Sequence, residues 1–147
     1  MEISASLSET ISGMRSLADV VTNLSTAGIA AVILTWARIL GVYKDADFSS
    51  FRRPLLLIVP LASFLTAVIC GYALNSALTG FFHEVTLGMS TQGIKMSDPT
   101  VYYKCEFGIF NLFGGLQLLA SVIGIVTLSG WFLWNVRHKL LPQPPSQ

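Results

Sequence analysis

Apolar and polar positions divide the chain into an amphipathic first segment and three long apolar segments. Over residues 1–21, apolar side chains recur at steps of three and four, and the remaining faces carry mostly serine. This period is typical of an amphipathic helix, and its apolar stripe consists of Ile3, Leu7, Ile11, Met14, Leu17 and Val21. The segment could lie in the membrane interface or pack on a partner helix. Interfacial helices usually carry several Lys or Arg residues, and Arg15 is the single basic residue here, so we favour protein packing.

Two of the apolar segments are long enough to cross a bilayer by themselves. Residues 55–82 and residues 107–136 contain no Asp, Glu, Lys or Arg. About 20 apolar residues in a helix cross about 30 Å of hydrocarbon. The pattern therefore predicts transmembrane helices at 55–82 and at 109–134.

The remaining apolar segment is shorter and begins with several polar residues. Residues 20–37 are uncharged, which is near the lower limit for a span. We predict a first transmembrane helix at 22–42. No helix breaker separates it from the amphipathic segment, so one long helix could contain both.

Polar connections complete the predicted architecture. A short polar link joins the first two spans, and residues 83–106 form a longer loop with an Asp98-Pro99 turn signal. Residues 140–147 are rich in proline and are expected to form a flexible tail. The predicted fold is an all-α membrane protein with one domain, in which three transmembrane helices follow an N-terminal amphipathic helix.

Composition agrees with this interpretation. The chain has 147 residues, of which 52% are hydrophobic and 12% are charged, whereas soluble domains carry about 25% charged residues. The formal net charge of +1 does not indicate nucleic-acid binding. The expected partners are the lipid bilayer and other membrane proteins or further copies of this chain.

Basic residues predict the orientation of the spans. Six flank the side that contains the first link and the C-terminus, and three flank the other side. The first set is Arg38, Lys44, Arg52, Arg53, Arg137 and Lys139, and the second is Arg15, Lys95 and Lys104. Because basic residues are retained in the cytoplasm, we expect the N-terminus outside and the C-terminus inside, which makes the 83–106 loop extracytoplasmic.

Candidate contact residues follow from how helices associate in lipid. Small residues allow close approach, and uncharged polar residues hydrogen bond between helices. The candidates for helix packing or partner contact are Leu7, Ile11, Met14, Asn75, Ser76, Gly80, Gln117, Ala120, Ser121 and Gly124. They could hold this chain's own bundle together or bind a partner. If several copies formed a pore, its lining would be Asn75, Gln117, Ser121 and Thr127.

The sequence shows no arrangement of residues typical of an enzyme. All acidic residues lie outside the predicted spans, and there is neither a zinc spacing nor a phosphate-binding glycine loop. We therefore expect no catalytic, metal or cofactor site. Carriers keep ionisable residues along a path through the membrane, whereas the only Asp, Glu, Lys or Arg residue in the predicted spans is Arg38, which is close to an interface.

The order of elements resembles that of one known class of membrane proteins. A serine-rich segment, SETISGMRSLADVVTNLSTAG, precedes a short span, AVILTWARIL, and a proline-opened span, RRPLLLIVPLASFLTAVICGY. This order resembles the small hydrophobic inner-membrane subunits of type IVB secretion systems and I-type conjugation machines. The resemblance implies a structural subunit of a translocation assembly in a bacterial inner membrane.

Two other functions are compatible with the same sequence. A membrane immunity or exclusion protein would bind a toxin or a partner pore in the bilayer, with the 83–106 loop as its recognition surface. An accessory subunit of another membrane complex would use the same packing features.

Overall fold

The computed structural model describes three long helices. It covers residues 5–40, 54–87 and 99–140, with side chains over 8–40, 55–84 and 108–137. The helices are α1 (Ala5–Ile39), α2 (Ile58–Leu87) and α3 (Pro99–Leu140), and a 3-10 turn at Pro54–Leu57 leads into α2.

Each helix contains a stretch that is long and apolar enough to cross a membrane. These stretches are Ser8–Ile39, Leu55–Glu84 and Gly108–Arg137. The predicted all-α fold is confirmed, with three helices that are long and apolar enough to span a membrane. The helices fit an integral membrane protein.

The amphipathic segment is not a separate element in the structure. α1 passes from Ala5 to Ile39 without a break at residues 21 and 22, where we had placed the end of a leader helix. The candidate span already begins at Ser8. Polar residues between Thr22 and Thr26 do not interrupt the helix, because threonine and serine hydroxyls there bond to the carbonyl four residues earlier.

The connection between α2 and α3 is shorter than the predicted loop at 83–106. α2 continues to Leu87, and α3 begins at Pro99, so both ends of the predicted loop are helical. Proline is favoured at the first position of a helix, where its missing N–H has no partner to lose. The predicted tail at 140–147 begins with Leu140, the last residue of α3. Its remaining residues, 141–147, lie outside the described residues, as do residues 88–98 and the link at 41–53.

Contacts along the bundle show the direction of each helix. At one end, Ile11 of α1 shares a cluster with Leu78 of α2 and Phe110 of α3. At the other end, Val32 of α1 packs with Leu57, in the turn that leads into α2, and with Trp131 of α3. α1 and α3 are therefore parallel, and α2 runs antiparallel to both.

On each helix, one set of buried positions repeats every seven residues. The set is Ile11, Ala18, Ser25 and Val32 on α1; Phe64, Gly71 and Leu78 on α2, continuing the spacing from Leu57 in the preceding turn; and Phe110, Gln117, Gly124 and Trp131 on α3. A seven-residue repeat keeps one side of a helix against its neighbour along its whole length, as in coiled coils and in most membrane bundles. The repeat places a polar residue or a glycine at the centre of each helix.

Candidate functional site

The centre of the bundle is crossed by a polar contact between α1 and α3. Gln117 is 1% exposed, and its Nε2 donates to the carbonyl oxygen of Ala18 and to Oγ1 of Thr22, both at 2.9 Å. The Thr22 hydroxyl in turn donates to the Ala18 carbonyl oxygen at 2.7 Å. A buried amide is tolerated in an apolar bundle because its donors are paired in this way.

A second polar contact joins the same helices one turn further along. Ser25 and Ser121 are both buried, and their hydroxyl oxygens are 2.8 Å apart. Ser25 uses its hydrogen to donate to the Val21 carbonyl oxygen at 2.8 Å. Since a hydroxyl has one hydrogen, Ser121 is the donor in the bond between the two serines.

Glycines on all three helices make room for bulky side chains of the neighbouring helices. The ring of Phe64, which is 2% exposed, lies against both Gly28 of α1 and Gly124 of α3. A Cβ placed on either glycine would come within 2.6 Å of a ring atom. A Cβ on Gly71 of α2 would likewise come within 2.5 Å of the Gln117 amide nitrogen. Glycine is therefore required at these positions, because the neighbouring side chains lie too close to the backbone to leave room for a Cβ.

These contacts show that several candidate residues serve the chain's own bundle. Gln117 and Ser121 point into the interior and bond to α1, so they do not line a surface between copies. Thr127 is half-buried and bonds to the carbonyls of its own helix. The pore lining expected from the sequence is thus not a continuous surface of this protein.

The remaining candidates divide between the interior and the surface. Ile11 is fully buried, Met14 packs against its cluster, and Ala120 is 9% exposed. Ser76 and Gly80 of α2 are exposed, and nothing lies within 4 Å of a Cβ built on Gly80. Leu7 lies in α1, but its side chain is outside the described part of the structure.

Three acidic residues lie inside the candidate spans, although the sequence predicted none there: Glu9 and Asp19 in the first span and Glu84 at the end of the second. Asp19 belongs to the candidate span Ser8–Ile39 and is exposed on the outside of the bundle. Asn75 of α2 donates from Nδ2 to Oδ1 of Asp19 at 2.8 Å. The Asn75 Oδ1 atom is buried and has no hydrogen-bond partner among the described residues. A carboxylate and an incompletely bonded amide therefore meet at the groove between α1 and α2.

Asp19 is part of a continuous row of exposed polar residues, which we call the α1 polar stripe. Its members are Glu9, Ser12, Ser16, Asp19, Asn23 and Thr26, and each of them is exposed. They follow one another at steps of three and four, so they share one side of the helix. That side differs from the buried side, which carries Ile11, Ala18 and Ser25.

The α1 polar stripe lies at a depth where α3 exposes several large apolar residues. Asp19 is at the depth of Gln117 in α3, because the preceding residue, Ala18, bonds to Gln117. The residues on either side of Gln117 are Leu116 and Leu118, each 42% exposed. Further along, Ile109 and Leu112 are exposed on either side of Phe110, which packs with Ile11. Leucine and isoleucine side chains at these levels suit contact with lipid, whereas the polar residues of α1 at the same levels do not.

α2 carries a matching row, the α2 polar stripe, which consists of Tyr72, Ser76, Thr79 and His83. All four are exposed and again follow at steps of three and four. Asn75 lies three residues after Tyr72 and four before Thr79, so it borders this row, and its bond to Asp19 links the row to α1. The two stripes together form one polar face, which spans the outer side of the α1–α2 pair.

An open cleft of about 270 Å³ lies near the other end of the bundle, between α2 and α3. Its lining is Leu56, Val59, Thr127, Gly130, Trp131, Trp134 and Asn135. Trp131 is 7% exposed and belongs to the core, whereas Trp134 is exposed. Most of the cleft wall is apolar, and in a bilayer it would face acyl chains.

No protein family, curated protein or solved structure matches the chain. Within the described residues there is no group of three or more His, Cys, Asp or Glu side chains that could hold a metal ion.

The polar face is the feature that was not predicted from the sequence. Its signal was present in the three-and-four spacing from Glu9 to Thr26, but residues 9–19 were predicted to belong to a separate amphipathic helix, and Asn23 and Thr26 to the first span.

Proposed function

We propose that this chain is a non-enzymatic integral membrane subunit that acts by helix–helix assembly within a larger membrane complex. The observation that carries this proposal is the polar face on α1 and α2. It includes two carboxylates, two amides, an imidazole and several hydroxyls, and the chain's own α3 does not cover it. Polar side chains exposed to hydrocarbon are unfavourable, and in membrane bundles they face other helices.

The polar interior of the bundle supports the same proposal. Gln117 bonds to Ala18 and Thr22, and Ser25 bonds to Ser121, so the buried polar groups that join α1 to α3 are paired inside the chain without the polar face. That face is available for contact with another protein or another copy. On the resemblance noted above, we propose that the complex is a secretion or conjugation machine in a bacterial inner membrane. The chain would be a structural subunit of it, with its N-terminus outside.

The test compares the polar face with the apolar surface beside it. Native membranes are solubilised in a mild detergent, and the mass and composition of the complex are measured by light scattering and mass spectrometry. Ser16→Leu combined with Asn23→Leu replaces polar groups of the α1 polar stripe and is expected to release the chain from its complex. Leu17→Ala combined with Leu24→Ala changes exposed apolar residues on the neighbouring side of α1 and is expected to leave the complex intact.

Two results would contradict the proposal. One is a wild-type chain that is strictly monomeric and retains no other membrane protein. The other is a complex that survives the stripe substitutions but is lost on substitution of Leu17 and Leu24. An immunity or exclusion protein would instead bind a toxin or pore protein specifically, and the bound proteins identified by mass spectrometry distinguish that alternative.

A further inference from the structure

We infer that the polar face is the interface of a twofold-symmetric dimer, in which α1 of each copy packs against α2 of the other. This inference rests on the proposed function and names the partner: a second copy of this chain. The dimer would have a four-helix core made of two α1 and two α2 helices, with both α3 helices outside it.

The symmetry follows from the membrane. Two copies of one membrane protein have the same orientation in the bilayer, so a twofold axis that relates them runs along the membrane normal. Rotation about that axis leaves depth unchanged. When the face formed by α1 and α2 is rotated by 180° about this axis, α1 of one copy lies opposite α2 of the other. In the same way, α2 of the first copy lies opposite α1 of the second.

The residues that meet under this symmetry are chemically matched. α1 and α2 are antiparallel, and Asp19 and Asn75 fix a common depth through their hydrogen bond. Because the helices are antiparallel, residues that precede Asp19 in α1 lie at about the same depth as residues that follow Asn75 in α2. The pairs below match in depth to within about one helical turn. Ser16 is level with Ser76, Ser12 with Thr79, and Glu9 with His83.

Each level pairs groups that can bond. Serine and threonine hydroxyls act as both donors and acceptors, and the Glu9 carboxylate can accept from a ring nitrogen of His83. The phenol of Tyr72 of the second copy can donate toward Asp19, whose Oδ1 has only the neutral Asn75 donor among the described residues. The same geometry separates the two Asp19 carboxylates, because each faces α2 of the other copy.

The spacing of the stripes suits a long helix contact. Glu9, Ser16 and Asn23 are seven residues apart, as are Ser12, Asp19 and Thr26, and on α2 the same holds for Tyr72 and Thr79 and for Ser76 and His83. This is the repeat that the buried sides of the three helices use. A seven-residue repeat keeps both stripes on a constant side, so the contact can continue over several turns. The small serine side chains allow the backbones to approach.

The inference is tested by disulfide cross-linking between differently tagged copies in native membranes. Both copies carry Cys70→Ala and Cys105→Ala, and one copy adds Ser16→Cys while the other adds Ser76→Cys. Oxidation is expected to shift the tagged chain from the mass of one copy to that of two, because a disulfide forms when the Cα atoms are within about 7 Å. Since each copy carries one cysteine, a link within a single chain is excluded.

Two control pairs test the side and the arrangement of the contact. Leu17→Cys paired with Ser76→Cys has the same depth but places one cysteine off the polar face, and it is expected to give no dimer. Ser16→Cys paired with Ser16→Cys is also expected to give none, because the two α1 helices lie diagonally across the core.

The possible results separate this inference from the proposed function. The inference is overturned if Ser16→Cys links to itself rather than to Ser76→Cys, or if the Leu17→Cys control links equally well. It is also overturned if no pair links while the parent chain runs as a larger complex with other proteins, a result that leaves the proposed function standing. A parent chain that is monomeric and without partners overturns both.

Discussion

The side-chain amide of Asn75 donates a 2.8 Å hydrogen bond to the carboxylate of Asp19, and this bond joins α2 to α1 at the edge of the polar face. We expect a double-mutant cycle with Asp19→Ala and Asn75→Ala to show coupling. Hydrogen bonds between membrane helices contribute about 0.6 kcal/mol on average and at most about 1.7 kcal/mol. The coupling energy is obtained from the free energies of unfolding of the parent chain, the two single variants and the double variant in mixed micelles.

The matched control for this cycle replaces Asn75→Ala by Thr79→Val. Thr79 lies one turn away on α2 and bonds to the carbonyl of Asn75 in its own helix. Asp19→Ala and Thr79→Val should therefore be additive. Coupling of equal size in both cycles would mean that Asp19 acts through the position of α2 and not through the Asn75 amide.

Gln117→Leu tests the polar crossing at the centre of the bundle. Leucine keeps a side chain of similar size but removes the Nε2 donor that bonds to Ala18 and Thr22. We expect the free energy of unfolding to fall by about 1 kcal/mol, the scale of two interhelical hydrogen bonds in a membrane. Thr127→Val is the control, since Thr127 bonds only within α3 among the described residues, and a loss as large as that for Gln117→Leu would contradict the prediction.

Gly28→Ala and Gly124→Ala test the packing around Phe64. A Cβ at either position would come within 2.6 Å of the ring, and overpacking of this kind costs about 1–3 kcal/mol. Gly115→Ala is the matched control on α3, because nothing lies within 4 Å of its Cβ. It should be neutral or stabilising by up to about 1 kcal/mol, since alanine is the better helix former.

A second substitution shows whether the ring is the cause. In the presence of Phe64→Leu, which shortens the inserted side chain, Gly124→Ala should destabilise less than it does in the parent chain. Additive effects of Gly124→Ala and Phe64→Leu would show that the glycine is required for a reason other than contact with Phe64. Thermal unfolding in detergent, followed by tryptophan fluorescence, measures both variants on the same scale.

The spans could be predicted because their signal is local. The absence of charge over residues 55–82 and 107–136 decides that these segments enter lipid, whichever way they pack. The ends of the helices were less well predicted. Residues such as His83 and Glu84 read as a loop, but α2 continues through them, because a helix does not have to end where the hydrocarbon ends.

Contacts between helices could not be predicted in the same way. The sequence suggested that small residues four apart, such as Ser76 and Gly80, would let two backbones approach. In the structure the glycines that matter lie opposite large groups: Gly28 and Gly124 accept Phe64, and Gly71 accommodates Gln117. Which glycine faces which side chain depends on the rotation of three helices, and a single sequence does not contain that information.

The two cysteines provide the prediction that tests the topology. Cys70 is buried and lies next to Gly71, which is level with Gln117 of α3. Cys105 lies twelve positions before Gln117 in α3, about 18 Å along the helix at 1.5 Å per residue. A disulfide needs Cα atoms within about 7 Å, so the two cysteines should not bond to each other. We expect a membrane-impermeant thiol reagent added to intact cells to label Cys105 and not Cys70, because the end of α3 that carries Cys105 is proposed to face outside.

A variant with Lys44→Cys, Cys70→Ala and Cys105→Ala provides the opposite control. Lys44 lies in the link between the first two spans, which the basic residues assign to the cytoplasm. Its cysteine should label only after the membrane is opened. Denaturation should expose Cys70 and Cys105 together in the parent chain, so a silent Cys105 in cells that labels after denaturation would indicate a covered thiol. Labelling of Lys44→Cys from outside, with Cys105 labelled only in opened membranes, would reverse the proposed orientation while leaving the three-span fold unchanged.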